Sequence, residues 1–444
     1  MRERPRVWPH VAYNTAITVA SPFLLGYLAW RLARGKSREG WSERWGSMPE
    51  TLRKKERRRI WCHAASVGEV MAATTILREL RKTVCDADIV VTTITPGGHE
   101  VAEGLVGKTA NAVGYLPFDI APLVRRAVDH IQPDLFIGVE TEIWPNLLYA
   151  LRSRGVACAL VNARISDRSY PRYKAARWLI GSALECYDAV MAQSQRDRER
   201  LLALGTPPDH LSVEGNVKFD EAVDLVAEDE VFALKETFHI PPEAPVWVVG
   251  STRVEEEERM VIAAHRLARA SLPNLVLIHA PRHIERAEEV AAAVRAAGIR
   301  VVRRTQLAEH EGSAEAIILD TFGELARVYA LGDVAFVGNS LVRPGGGQNP
   351  IQPLAQGKPV LLGPFVSNFR DVVAEALDAG VAFTVSSPRE LAGRLVTLIR
   401  DQAERDRIAE RALDLIRTNR GASTRYASKL MNLLDSKSSL RQSC

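Results

Sequence analysis

Short apolar runs of strand length alternate with helix-like segments along nearly the whole chain, and no other feature limits the fold as strongly. Ile60-Trp-Cys-His-Ala-Ala65 runs into Ser66-Val-Gly-Glu69 and then a helical segment over residues 70–82. Asp88-Ile-Val-Val-Thr-Thr93 is followed by a Thr95-Pro-Gly-Gly98 turn and another helix. Leu135-Phe-Ile-Gly-Val139 leads into Glu140-Thr-Glu-Ile-Trp-Pro145, and Ala157-Cys-Ala-Leu-Val161 into Asn162-Ala-Arg-Ile-Ser166. Such runs, separated by helices, indicate a mainly parallel sheet covered on both faces. The pattern pauses at Ile240-Pro-Pro-Glu-Ala-Pro245 and resumes at Val246-Trp-Val-Val249. The expected class is therefore α/β, with two doubly wound domains at residues 36–225 and 240–415 and a charged helical tail at 416–444. Ligands in such sheets bind at the carboxyl ends of the strands, so a cleft between two facing domains is the expected active site.

The remaining bulk properties exclude more than they assign. A net charge of +4 over 444 residues gives little argument for a nucleic-acid partner. The five cysteines, Cys62, Cys85, Cys158, Cys186 and Cys444, are scattered without CxxC spacing, which fits a reducing compartment with no disulfide framework and no zinc ribbon. No formally charged residue occurs between Val7 and Trp30, and Arg2, Arg4 and Arg6 before it and Arg31, Arg34, Lys36 and Arg38 after it are basic. Residues 1–35 are thus expected to form a single N-terminal membrane anchor, spanning or lying in the interface against a membrane lipid surface. The other reading of this stretch is an apolar first helix packed on the domain.

Several side chains stand where strands give way to helices. Glu69 follows Ser66 and Gly68 in such a turn, placed to take a proton from an attacking hydroxyl or simply to complement a helix dipole. Glu140 and Glu142 stand two apart just past an apolar run, so an extended backbone would aim both the same way. Lys218, and Arg282 with His283, emerge near expected strand ends, where cations suit a phosphate leaving group. Arg343-Pro-Gly-Gly-Gly-Gln-Asn-Pro-Ile-Gln352 follows another apolar run. Its glycines, Gly346 and Gly347 among them, permit close backbone approach, and Asn349, Pro350 and Gln352 suit the cap, first-turn and capping-box positions of a helix. Free N–H groups at that helix start would favour a phosphate; a flexible loop before a well-capped helix is the alternative. The histidines show no metal-ligand spacing and there is no P-loop, GxGxxG or GxSxG, so no metal site is expected and nucleotide hydrolases, dinucleotide enzymes and α/β-hydrolases are disfavoured.

Taken together and in order, these motifs resemble the Kdo transferases. The resemblance rests on Trp61-Cys-His-Ala-Ala-Ser-Val-Gly-Glu69, Glu140-Thr-Glu-Ile-Trp-Pro-Asn146, Asn162-Ala-Arg-Ile-Ser166, Gly215-Asn-Val-Lys218 and Ala280-Pro-Arg-His283. Asp320-Thr-Phe-Gly-Glu-Leu325 and the glycine loop add to it, as does Glu43-Arg-Trp-Gly46 after the apolar N-terminus. That family moves 3-deoxy-D-manno-oct-2-ulosonic acid from its CMP-activated form to the lipid A precursor of lipopolysaccharide.

The resemblance implies a GT-B architecture of two Rossmann-like domains, acceptor on the first and CMP-Kdo on the second, and an inverting, metal-independent reaction with no cofactor. It also implies an enzyme at the cytoplasmic face of the inner membrane. Matched to the family, Glu69 is the general base, and Glu140 and Lys218 stabilise the transition state. Pro281 and Arg282, Phe322, Gly323 and Glu324, and Asn349, Pro350, Ile351 and Gln352 bind CMP; beside the matched positions, Ser66, Gly68, Glu142, Gly346 and Gly347 are additional candidates. Two departures stand out: the family usually reads Gly-Gly-His-Asn-Pro-x-Glu where this chain has Gln348 and Gln352, and His-x-Gly where it has Arg253-Val-Glu255. Other readings are a related GT-B transferase with a different activated acidic sugar, and a catalytically silent, membrane-tethered nucleotide-binding module.

Overall fold

The computed structural model of the chain describes residues 7–33, 39–54, 56–310, 312 and 314–442. It divides into two units, Met1–Asp220 with Asn419–Cys444, and Glu221–Thr418. The first unit holds seven parallel strands: β1 (Arg59–His63), β2 (Asp88–Thr93), β3 (Ala112–Tyr115), β4 (Leu135–Val139), β5 (Ala157–Ala163), β6 (Ala189–Ala192) and β7 (Leu211–Val213). Their order is β3-β2-β1-β4-β5-β6-β7. Alternate residues divide between two cores, which is why the runs are apolar throughout. Ile60, Cys62, Ile89 and Ile137 pack on one face with Val70, Leu77 and Tyr426, while Trp61, Val90 and Phe136 pack on the other with Val124 and Leu147. Each large side chain so buried stabilises the unit by roughly 1.5–3 kcal/mol relative to exposure.

The second unit repeats the plan with β8 (Val246–Thr252), β9 (Val276–Pro281), β10 (Val301–Arg303), β11 (Ala316–Ile318), β12 (Val334–Val337), β13 (Val360–Leu362) and β14 (Ala382–Thr384). The strands are again parallel, ordered β10-β11-β9-β8-β12-β13-β14. Strand order reverses direction between β1 and β4 in one sheet and between β8 and β12 in the other. At these switch points the connections leave to opposite sides and open a crevice at the carboxyl edge. This two-unit α/β architecture is consistent with GT-B.

The N-terminal anchor expected from the sequence is not supported. Val7–Ala33 is one helix of 27 residues, but no helix among the described residues is both long and apolar enough to cross a membrane. Length is not what fails; His10, Asn14, Thr15, Thr18, Ser21 and Pro22 dilute its apolar character. Two of its polar groups are committed to the first unit: the Tyr13 hydroxyl donates to Asp119 Oδ2 at 3.0 Å and Asn14 Nδ2 to Asn146 Oδ1 at 2.8 Å. Trp8 stacks on Trp178 and His10 on Tyr149. The packed first helix is thus the reading that holds, and a single anchor through the inner membrane is withdrawn. Of the basic flanks, Arg2, Arg4, Arg6, Arg34, Lys36 and Arg38 lie outside the described residues, as does Cys444.

The last helix, Ala422–Gln442, belongs to the first unit rather than the second. Tyr426, Leu430 and Leu434 complete the core beneath β1, and the Tyr426 hydroxyl donates to the Gly215 carbonyl at 2.8 Å. Asp220, the last residue before the chain leaves this unit, accepts the N–H groups of Gly421, Ala422 and Ser423 where it returns.

Candidate active site

The carboxyl edge of the first sheet gathers three acids at its switch point. β1 ends at His63, and the turn Ala64–Ser66 starts the helix Val67–Thr83 with Glu69 in its first turn. The Ser66 N–H donates to Glu69 Oε2 at 2.9 Å in a reciprocal capping box, which holds the carboxylate close to the strand end. Burial, with Glu142 and Glu140 nearby, pushes the Glu69 carboxyl up to about 7; the Ser66 N–H and His63 oppose the rise. A carboxyl titrating there is poised to accept a proton near neutral pH.

Glu140 and Glu142 leave β4 beside it, 4% and 3% exposed. Glu140 has φ 68°, a left-handed conformation that strains a residue with a side chain. Its N–H donates to the Val161 carbonyl, and its Oε2 accepts from Arg164 Nε at 2.6 Å. Glu142 Oε2 lies 3.0 Å from His63 Nε2 and accepts the Trp144 indole N–H. His63 is held from the other side, with Nδ1 2.9 Å from the Thr92 carbonyl and 3.0 Å from its hydroxyl. Lys218 sits in the 3-10 turn Val217–Glu221 beyond β7. Val217 N–H donates to Asn162 Oδ1 at 3.3 Å, which ties that turn to the end of β5.

The second unit shapes a separate recess at its own carboxyl edge, a cavity of about 230 Å³ lined by Ser251, Pro281, Arg282, Phe322, Gly323 and Gln352 among others. The Arg282 N–H donates to the Thr252 carbonyl at 2.8 Å, joining the ends of β9 and β8. Phe322 is 91% exposed, and Gly323 beside it has φ 87°, which suits glycine. Glu324 faces Arg304 at 3.4 Å and accepts the Thr321 hydroxyl.

The glycine loop differs from its expected form. Gly345, Gly346 and Gly347 all have positive φ, and a Cβ on Gly346 would lie 2.6 Å from Asn368 Nδ2. The N–H groups of Gly346, Gly347 and Gln348 donate to the carbonyls of Phe365, Asn339 and Gly338, so the loop folds on its own backbone rather than presenting them to a ligand. The following helix is only Ile351–Ala355, begins after Pro350, and is capped by Asn349 Oδ1 accepting the Ile351 N–H at 2.9 Å. The Ile351 side chain is fully buried, leaving its backbone as its polar surface.

The structure therefore brings Ser66, Glu69, Glu140 and Glu142 to one strand edge, and Pro281, Arg282, Phe322, Gly323 and Gln352 to another recess. Gly68 lies in the first turn of its helix, where a Cβ would meet nothing within 4 Å. His63 and Arg164 lie within motifs but are given no role by sequence, and Arg304 and Glu257 lie outside them. Glu257 is fully buried, and its carboxylate accepts three successive backbone N–H groups, from Asn339 at 2.6 Å, Ser340 at 2.8 Å and Leu341 at 3.0 Å. In sequence it is one of four consecutive acids opening a helix, which reads only as dipole complementation. Among the described residues no cluster of His, Cys, Asp or Glu could hold a metal ion.

A family described as 3-deoxy-D-manno-octulosonic-acid transferase (kdotransferase) matches residues 39–221. The 3-deoxy-D-manno-octulosonic acid transferase of Haemophilus influenzae is 33% identical over 379 residues, covering 85% of this chain and 87% of that protein. The Bordetella pertussis transferase of the same description is 32% identical over 383 residues, covering 84% and 87%. A UDP-GlcNAc 2-epimerase of Neisseria meningitidis, bound to UDP-GlcNAc, aligns with 84% of this chain and all of its own at a TM-score of 0.52 and 14% identity, a likeness of fold alone. With about a third of the aligned positions identical to such transferases over most of both lengths, the chain belongs to the 3-deoxy-D-manno-octulosonic acid transferase family.

Proposed function

We propose that this glycosyltransferase of lipopolysaccharide and lipid A biosynthesis works by direct, inverting displacement, with Glu69 as general base. A hydroxyl oxygen of the lipid A precursor attacks C2 of Kdo, and the bond from C2 to the phosphate oxygen of CMP breaks. The hydroxyl proton passes to the Glu69 carboxylate, and the electron pair of the broken bond leaves on the CMP phosphate. Arg282 and Lys218 supply positive charge for that leaving group, the work a metal performs elsewhere. The Glu140 carboxylate favours the positive charge that develops on the sugar ring. In the second unit, Arg282, the exposed Phe322 ring and Gln352 line the recess assigned to the nucleotide.

The observation that carries this reading is the place of Glu69, capped by the Ser66 N–H at the switch point of a parallel sheet beside two buried acids, where burial and those acids push its carboxyl up to about 7. A neutral-pH base costs the enzyme little to deprotonate and is strong enough to accept the proton. Because the acceptor is an amphiphile, the enzyme meets a lipid surface. The exposed Val11, Val19 and Phe23 of the first helix are suited to peripheral contact with it, without a span.

The test is product analysis by mass spectrometry with purified enzyme, CMP-Kdo and a tetraacylated precursor in the presence of chelator. The expected product is the precursor plus Kdo, and Glu69→Gln is expected to lower the rate by roughly 10²–10⁴-fold. A Glu69→Gln enzyme with undiminished turnover refutes the role given to this residue.

A further inference from the structure

Three buried or partly buried carboxylates at one strand edge present a problem of selectivity. Any of them could hold the proton, and two would compete with the base. The fold treats them differently. Glu140 is held by Arg164 at 2.6 Å. Glu142 lies 3.0 Å from His63, a side chain with no exposed surface. Glu69 has the Ser66 backbone N–H but no cationic partner among the described residues.

His63 is built into this position with unusual completeness for a group that motif reading leaves without a role. It ends the strand that feeds the Glu69 turn, and it pairs across the sheet with Thr92 on β2 and Gly138 on β4. Thr92 offers Nδ1 both a carbonyl and a hydroxyl, at 2.9 and 3.0 Å, and the same hydroxyl accepts the Trp61 indole N–H at 2.8 Å. The imidazole can therefore donate from Nδ1 to the carbonyl, or accept there from the hydroxyl, without moving. Nε2, 3.0 Å from Glu142, carries a proton in the imidazolium, and in the neutral ring only while Nδ1 accepts. Trp144 and the Tyr187 hydroxyl, which donates to the Glu142 carbonyl at 2.6 Å, fix the acid from its other sides.

We propose that His63 is a positioning residue for the base. It fixes Glu142 and sets a counter-charge against it, leaving Glu69 as the acid of the three that takes the acceptor's proton. The proposal rests on the reading of Glu69 as base. The other titratable groups facing this cluster stay neutral over the working range. Burial pushes the Cys62 thiol up to about 12, the Tyr187 phenol well above its ordinary value, and the Tyr173 phenol upward. Glu140 with Arg164, and Glu142 with His63, are thus the charges that bear on Glu69, and their signs are opposed: both acids raise the Glu69 carboxyl, and His63 lowers it.

The test compares the pH dependence of kcat/KM for transfer in wild type, His63→Gln and Glu142→Gln, with each fold checked by thermal melting. His63→Gln keeps an amide to face Glu142 but loses the counter-charge, so the acidic limb moves to higher pH. A limb raised by about one pH unit makes the enzyme about fivefold slower at pH 7 yet within about twofold of wild type at pH 9. Glu142→Gln moves the limb the other way, to lower pH. A merely structural role for His63 would lower the rate equally at every pH, and that result, or a limb that stays in place, overturns the proposal. Should His63→Gln fail to fold, an unmoved or raised limb in Glu142→Gln overturns it as well, and a lowered limb supports it. Glu69→Gln separates the two levels. If it is active, the base reading itself fails; if it is inactive while the other limbs stay put, only the role of His63 falls.

Discussion

Replacing Glu257 with alanine tests how the second unit holds its ligand recess. The carboxylate is fully buried and accepts the N–H groups of Asn339, Ser340 and Leu341 at 2.6, 2.8 and 3.0 Å. These residues lead from β12 into the glycine loop, whose Gly347 and Gln348 N–H groups donate back to Asn339 and Gly338. Glu257→Ala leaves three buried donors without their acceptor. Each unsatisfied group costs about 1–3 kcal/mol, partly offset by water entering the vacated space and by relief from burying a charge. A net loss of about 3–5 kcal/mol is expected, comparable to breaking a buried ion pair. For a unit the size of Glu221–Thr418, each kcal/mol lowers the melting temperature by about 2–4 °C, giving a drop of roughly 6–20 °C. Scanning calorimetry reads this, and CMP titration of the native variant is expected to show weakened binding. Glu257→Gln, which keeps one acceptor oxygen, should lose only about 1–3 kcal/mol. An alanine variant that melts within about 2 °C of wild type and binds CMP unchanged would refute the assignment of Glu257 as the anchor of this loop.

Three further outcomes are expected. Burial, with Glu142 and Glu140 nearby, pushes the Glu69 carboxyl up from 4.5 to about 7, so its favourable contribution is complete below pH 4.5 and is lost as pH rises through 7. Glu69→Gln should therefore be more stable than wild type at pH 8 by about 1–3 kcal/mol and melt higher, with the difference vanishing at pH 4; equal melting at both values contradicts the raised carboxyl. Gly363→Ala would set a Cβ 2.1 Å from the Ser340 carbonyl oxygen and 2.5 Å from Leu341 Cα, both backbone atoms. A loss of about 2–4 kcal/mol in urea titration is expected, and a neutral result would mean that the strand ends yield freely. Gln352→Glu offers a charged acceptor at the recess, and calorimetry should show CMP bound about fivefold more tightly, since charge-assisted bonds exceed neutral ones by about 1 kcal/mol. Weaker binding would exclude this side chain from accepting a nucleotide hydroxyl.

The alternation of apolar runs made both sheets legible, because a strand covered on two faces is apolar along most of its length, as Leu135–Val139 and the Ile60-Trp-Cys62 centre of β1 are. The chemistry at their ends was legible only where a residue stands beside a distinctive neighbour, as Glu69 does after Ser66 and Gly68. His63 and Glu257 were not, because what defines them is a partner far away in sequence: Glu142 for one, the backbone at residues 339–341 for the other. The first helix was misjudged for a related reason. An uncharged stretch has the same composition whether it meets lipid or protein, and the difference lies in Asp119 and Asn146, which receive Tyr13 and Asn14. The glycine loop was read as open because glycine signals permissive geometry, not where the N–H groups end up.

The return of the last helix to the first unit sets an order of assembly. During synthesis Met1–Asp220 leaves the ribosome long before the tail, and its core beneath β1 then lacks Tyr426, Leu430 and Leu434. Glu221–Thr418 is continuous in sequence and can complete its sheet as it emerges, whereas the unit begun first is finished last. A nascent chain halted before Ala422–Gln442 would carry an exposed apolar face over the first sheet. Truncations that remove Ala422–Gln442 should therefore act on the stability of the first unit.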